Sequence, residues 1–131
     1  MNELAKEILD TVEVGALATV NVDRTPLVTP LHFARLGDSI VWISEPTARH
    51  SENAFRNGKA EFVVWDDKKR AVFLKTNVTE LPESEKEVAM VAYKEKLADF
   101  MPRCQNPQIY VAPIGELDEK TTTGNWLHFI A

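Results

Sequence analysis

The chain has 131 residues, 44% hydrophobic and 27% charged, with 15 Lys and Arg against 20 Asp and Glu for a formal net charge of −5. That length suits one domain, 1–131, with one core, and the composition excludes disordered and collagen-like chains. The acidic balance repels nucleic-acid phosphates, so any bound anion must be held by a local pocket, and no apolar run reaches the roughly 20 residues of a membrane span. The opening MNELAKEILD carries acids through its first turns, unlike a signal peptide. Cys104 is the single cysteine, with no second thiol or histidine at zinc spacing. These features point to a cytoplasmic protein with an incidental thiol, partnered by neither nucleic acid nor membrane.

Residues 3–12 place Leu4, Ala5, Ile8, Leu9 and Val12 on one helical face. Gly15 ends the approach to a first strand, where Ala16, Ala18, Val20 and Val22 alternate with Leu17, Thr19 and Asn21. Turn chemistry at Asp23–Pro26 and a β-rich run at 27–36 complete a hairpin, and Ser39–Ile43 forms the next strand. A helix follows at 46–57, with Pro46 at its first position, Ser44 or Thr47 as cap, and Asn57-Gly58 as its stop. Strands resume at 60–65 and 71–81 around the charged tip Asp66–Arg70. Ser84 and Glu87 are spaced as a capping box for a helix carrying Met90, Tyr93, Leu97 and Phe100 on one stripe and stopping near Pro102. Ile109–Ala112 and Trp126–Ile130 add strands. The sum is a mainly β, α+β protein: a six- to seven-stranded antiparallel barrel, closed or split, with short peripheral helices.

The chemistry concentrates where the strand ending at Ser44 meets the helix that follows. The first N–H groups of a helix lack internal partners and carry the positive end of its dipole. Ser44 and Thr47 add hydroxyls, Arg49 offers paired charge-assisted donors, and His50 adds another donor. Together these form a candidate phosphate seat. The same residues also read as an ordinary N-cap followed by solvated side chains. His32 either lines a site or is a satisfied strand histidine, and His128 reads as structural.

The order helix, hairpin, strand, then Ser44-x-Pro46-x-x-Arg49-His50-x-x-Asn53, resembles the flavin-binding split-barrel family related to pyridoxamine 5′-phosphate oxidase. The likeness covers roughly Leu4 to Trp126 and is strongest in GALATVN, in Pro26-x-x-x-Pro30-Leu31-x-Phe33, and at the junction. It implies that Ser44, Arg49 and His50 hold the phosphate of FMN. It further implies that Thr29, Pro30, Leu31 and His32 run along the isoalloxazine ring, that the protein is a homodimer, and that Trp126 borders the cofactor of the neighbouring subunit. His50 departs from the family's usual Lys, and a histidine of ordinary pKa is largely uncharged at neutral pH. The segment after Trp126 lacks the basic residues of the true pyridoxamine phosphate oxidases, so that reaction is not the expected one. The resemblance implies an FMN-dependent oxidoreductase acting on a small molecule, with NAD(P)H or oxygen as redox partner. A flavin- or haem-binding protein without turnover is the alternative, and an interaction module with an empty site is a third.

Overall fold

A computed structural model describes residues 1–131. Helix α1 (Glu3–Thr11) starts where Asn2 Oδ1 accepts the Ala5 N–H at 3.0 Å, and it buries Ala5, Ile8 and Leu9. Strands β1 (Val14–Val20) and β2 (Pro26–His32) pair from Val14 opposite His32 to Val20 opposite Pro26. Gly15 therefore lies within β1 rather than before it, and Val22 falls in the turn. The Phe62 ring covers Gly15 so closely that any Cβ would collide with it.

The run expected as one strand at 27–36 is two. After His32 the chain passes through buried Phe33, which meets Phe62 edge-on at 4.9 Å, and β3 (Ala34–Leu36) joins a different sheet. The run at 71–81 likewise divides into β6 (Ala71–Asn77) and β7 (Thr79–Glu80). With β4 (Ser39–Ser44), β5 (Lys59–Trp65), β8 (Gln108–Pro113), β9 (Glu116–Leu117) and β10 (Trp126–Ile130), two open sheets form. Their orders are β2-β1-β5-β6-β10-β9 and β3-β4-β8-β7, a split barrel. One pairing departs from the antiparallel expectation: β10 runs parallel to β6.

The main core fills the space between the sheets with Leu17, Phe33, Ile40, Trp42, Phe62, Leu74 and Phe129. Alternate residues of β4, Val41 and Ile43, face a second cluster with Ala89, Tyr93 and Leu97 of α3 (Lys86–Leu97). Because both faces of β4 are covered, it reads as a continuous apolar run. Burying each such large side chain contributes about 1.5–3 kcal/mol, and this double anchoring fixes the end of β4 at Ser44.

The helices differ from expectation at their starts. Pro46 and Thr47 lie in a turn closed by the Ala48 N–H donating to the Glu45 carbonyl at 3.0 Å, and α2 spans Arg49–Asn57 with Ala48 as an N-cap that offers no side chain. Gly58, at φ 76°, ends α2 as expected. The Ser84–Glu87 capping box does not form. A 3₁₀ turn at Glu83–Glu85 leads into α3, which ends at Leu97, so Phe100 leaves the helical stripe. No helix is long and apolar enough to cross a membrane.

Candidate functional site

The junction after β4 carries an uncapped helix start. Neither a carbonyl nor a side-chain acceptor meets the amides of Arg49, His50 and Ser51, and the first backbone bond runs from Glu52 N–H to the Ala48 carbonyl at 3.0 Å. Such amides, with the helix dipole behind them, favour an anion. Beside them Ser44 Oγ and His50 Nε2 share a hydrogen bond of 2.6 Å, with the donor set by the imidazole tautomer. Burial holds His50 below the usual histidine range, so the ring is neutral at neutral pH. Ser51 Oγ is buried in the same helical turn and faces the Tyr110 hydroxyl. The seat is thus a set of neutral donors at a dipole end rather than a cluster of cations.

A cavity of about 290 Å³ opens next to Ser44. Pro30, Leu31 and His32 of β2 form one wall, Ile43 to Glu45 and Ala48 another, and Tyr93, Phe100, Arg103 and Cys104 the third. Burial pushes the Tyr93 phenol up to about 12. Burial, and secondarily Glu45, also push the Cys104 thiol up, so both groups stay protonated and neither supplies a nucleophile at neutral pH. The His32 ring is stacked under Phe100 with centroids 3.8 Å apart.

Arg49 opens elsewhere. It is exposed and lines a second, polar cavity of about 490 Å³ with Asn21, Asp23, Thr25, Glu52, Asn53 and Arg56. Buried Asn53 ties α2 to the sheet there. Its Nδ2 donates to Thr19 Oγ1 at 3.1 Å and Asn21 Oδ1 at 2.9 Å, while its Oδ1 accepts from Arg56 Nη2 at 2.9 Å. This network sets the position of α2 against β1.

Of the residues singled out in the sequence, Pro30, Leu31, His32 and Ser44 share one cavity, and His50 is bonded to its edge. Thr29 is half-buried opposite Leu17, facing away from Pro30 and His32. Thr47 is exposed in the turn. Trp126 stands four strands from β2 in the same sheet, 51% exposed, with Nε1 donating to the Lys69 carbonyl at 3.3 Å. Within one chain it does not reach the cavity. Sequence reasoning missed Glu45, Phe100 and Arg103. Phe100 carried a misleading signal, because its spacing from Leu97 continued the helical stripe.

The model of the family described as pyridoxamine 5′-phosphate oxidase matches residues 1–114. The chain belongs to this family. A search of curated proteins gave no match. Among solved structures, a haem-binding protein from Mycobacterium smegmatis superposes with a TM-score of 0.72 at 20% identity, over 86% of this chain and 50% of that one. An FAD-binding protein from Mesorhizobium loti gives 0.69 at 20% identity over 87% and 88% of the two chains. An F420 reductase gives 0.66 at 19% identity over 82% and 90%. At these identities the likeness is one of fold. The chain spans about half the length of the Mycobacterium protein.

Proposed function

We propose that the chain is a flavoprotein that binds FMN and acts as an FMN-dependent oxidoreductase on a small organic molecule, with NAD(P)H as a candidate donor. The observation that carries this reading is the uncapped start of α2 beside the Ser44–His50 pair, opening onto a cavity walled by β2. A phosphate suits that place. Three uncommitted amides and the Ser44 hydroxyl present donors. Ser44, His50 and the α2 amides would hold the phosphate, with Arg49 approaching from the adjacent cavity, and Pro30, Leu31 and His32 would lie along the ring. Bound flavin would supply the redox chemistry, and the protein the orientation and exclusion of water.

The cavity of about 290 Å³ is at the lower limit of the roughly 300–1,000 Å³ of small-molecule sites, so part of the ligand needs another cover. A second copy of the chain provides it in this reading. The outer face of the six-stranded sheet exposes Val28, Trp65 and Trp126 by 63%, 57% and 51%, and a homodimer through that face buries them and offers Trp126 to the partner's site. The likeness to a haem-binding protein supports a second reading, in which the same barrel holds haem. The absorption spectrum of freshly purified protein, before and after FMN addition and gel filtration, separates the readings. A co-eluting flavin spectrum supports the first, and reduction by NADH or NADPH then tests turnover. A haem band replaces the cofactor, and colourless protein that ignores FMN rejects the oxidoreductase.

A further inference from the structure

Residues 98–107 connect α3 to β8 without regular structure and cross the mouth of the Ser44 cavity. Three features hold this strap. At its start Ala98 has φ 54° and ψ −124°, a conformation that residues with a Cβ adopt only under constraint. Phe100 then lays its ring on His32, with planes 25° apart, while staying 39% exposed. At the far end the Glu45 carboxylate accepts the Gln105 N–H at 2.9 Å and the Asn106 N–H at 3.2 Å. The strap therefore touches His32 at one end and, at the other, the turn that opens α2.

A ring more than a third exposed adds little to a core, and holding it there leaves Ala98 strained. What the contact does is cover the flat face of His32. Phe100 and a ligand ring cannot both lie on that face. Resting on the flavin reading of this site, we propose that Phe100 stands in for the ligand's own ring. In the ligand-free protein it occupies the His32 face, and a planar aromatic ligand with an anionic tail takes that face by swinging the strap about Ala98. Such an exchange selects for flatness. A ligand without a planar ring gains no stack on His32 to offset the one lost from Phe100.

FMN binding is followed by quenching of flavin fluorescence, at equilibrium and by stopped flow, in the wild type, Phe100→Ala, Phe100→Trp and Glu45→Gln. Removing the competing ring should tighten FMN binding about two- to tenfold and speed association. Phe100→Trp should weaken binding, and Glu45→Gln, which loosens the far clasp, should speed association. In NMR spectra, the ring-current shift that Phe100 imposes on the His32 ring protons should vanish in ligand-free Phe100→Ala, and with FMN bound the wild type and Phe100→Ala should show the same His32 shifts, those of the flavin ring. Wild type that binds FMN while Phe100→Ala binds equally or more weakly overturns the proposal and leaves the flavin site standing. Binding by Phe100→Ala alone supports both. Binding by neither overturns both.

Discussion

Lys96 on α3 holds its ammonium 3.6 Å from the centre of the Phe33 ring and donates to the Leu9 carbonyl at 2.8 Å. Burial pulls its pKa down to about 8 against the attraction of Asp10 and Glu13. Because the folded value lies below the unfolded one, the unfolded chain binds more protons between about pH 8 and about pH 10, and stability rises with pH across that window. Urea midpoints from pH 7.5 to 9.5 should climb more steeply for the wild type than for Lys96→Met, and equal slopes would reject the assignment. His50 has a consequence of the same sign at lower pH. Its folded value is also depressed by burial, so its contribution to stability is present above about pH 6.5 and declines as pH falls below it. Through the same group FMN affinity should be flat from pH 8 to 6.5 and increase only at lower pH, once the imidazolium forms. Tightening centred on 6.5 would show a histidine of ordinary pKa. The residue types of this seat were legible in the sequence, since Ser44, Arg49 and His50 stand together at a strand-to-helix junction. Their distribution was not, because the turn at Glu45–Ala48 sends Ser44 and Arg49 into different cavities.

At the level of elements, periodicity located every helix and most strands but not the points where tertiary contacts overrule it. The run at 27–36 keeps a strand's alternation up to Leu31 and Phe33, and the change of sheet shows only as two adjacent buried residues, Phe33 and Ala34. The helix α3 stops at Leu97 although the apolar stripe continues, because Phe100 finds His32 instead of the next turn. Ala98 absorbs the resulting bend at φ 54° and ψ −124°, a sparsely populated region that costs an L-residue about 1–3 kcal/mol, whereas glycine tolerates positive φ. Ala98→Gly, at an exposed position, should therefore stabilise the protein by about 1 kcal/mol and raise Tm by about 3 °C, after the greater chain entropy of glycine is counted. A calorimetric Tm at or below that of the wild type would show that Ala98 is unstrained in solution.

For the whole molecule, the least legible property is which apolar face remains outside. Strand β1 has small and branched apolar residues on both faces: Gly15, Leu17 and Thr19 are buried, while Val14 and Val20 are 41% and 46% exposed. Weak alternation in the sequence reflects a strand that is apolar on both sides, one packed on the core and the other bare within a single chain. The exposed side continues across the sheet through Val28, Trp65, Trp126 and Ile130. Glu61 and Lys75 pair at 3.7 Å on the same face between Val28 and Ile130, and the exposed apolar side chains around that pair are the basis for proposing association through this face. Val28 provides the cleanest test because it is 63% exposed and lies outside the core. Val28→Lys places a charge on the edge strand of the proposed contact, where burying it unpaired is strongly unfavourable. Light scattering at micromolar concentration should show a dimer for the wild type and a monomer for Val28→Lys with an unchanged circular dichroism spectrum. FMN affinity should fall with the loss of the dimer, since Trp126 reaches the cavity only from a second copy in this arrangement. A wild-type monomer, or a variant that still dimerises, would leave the outer face without the assigned partner. A monomeric variant with full FMN affinity would confine the site to one chain and remove Trp126 from it.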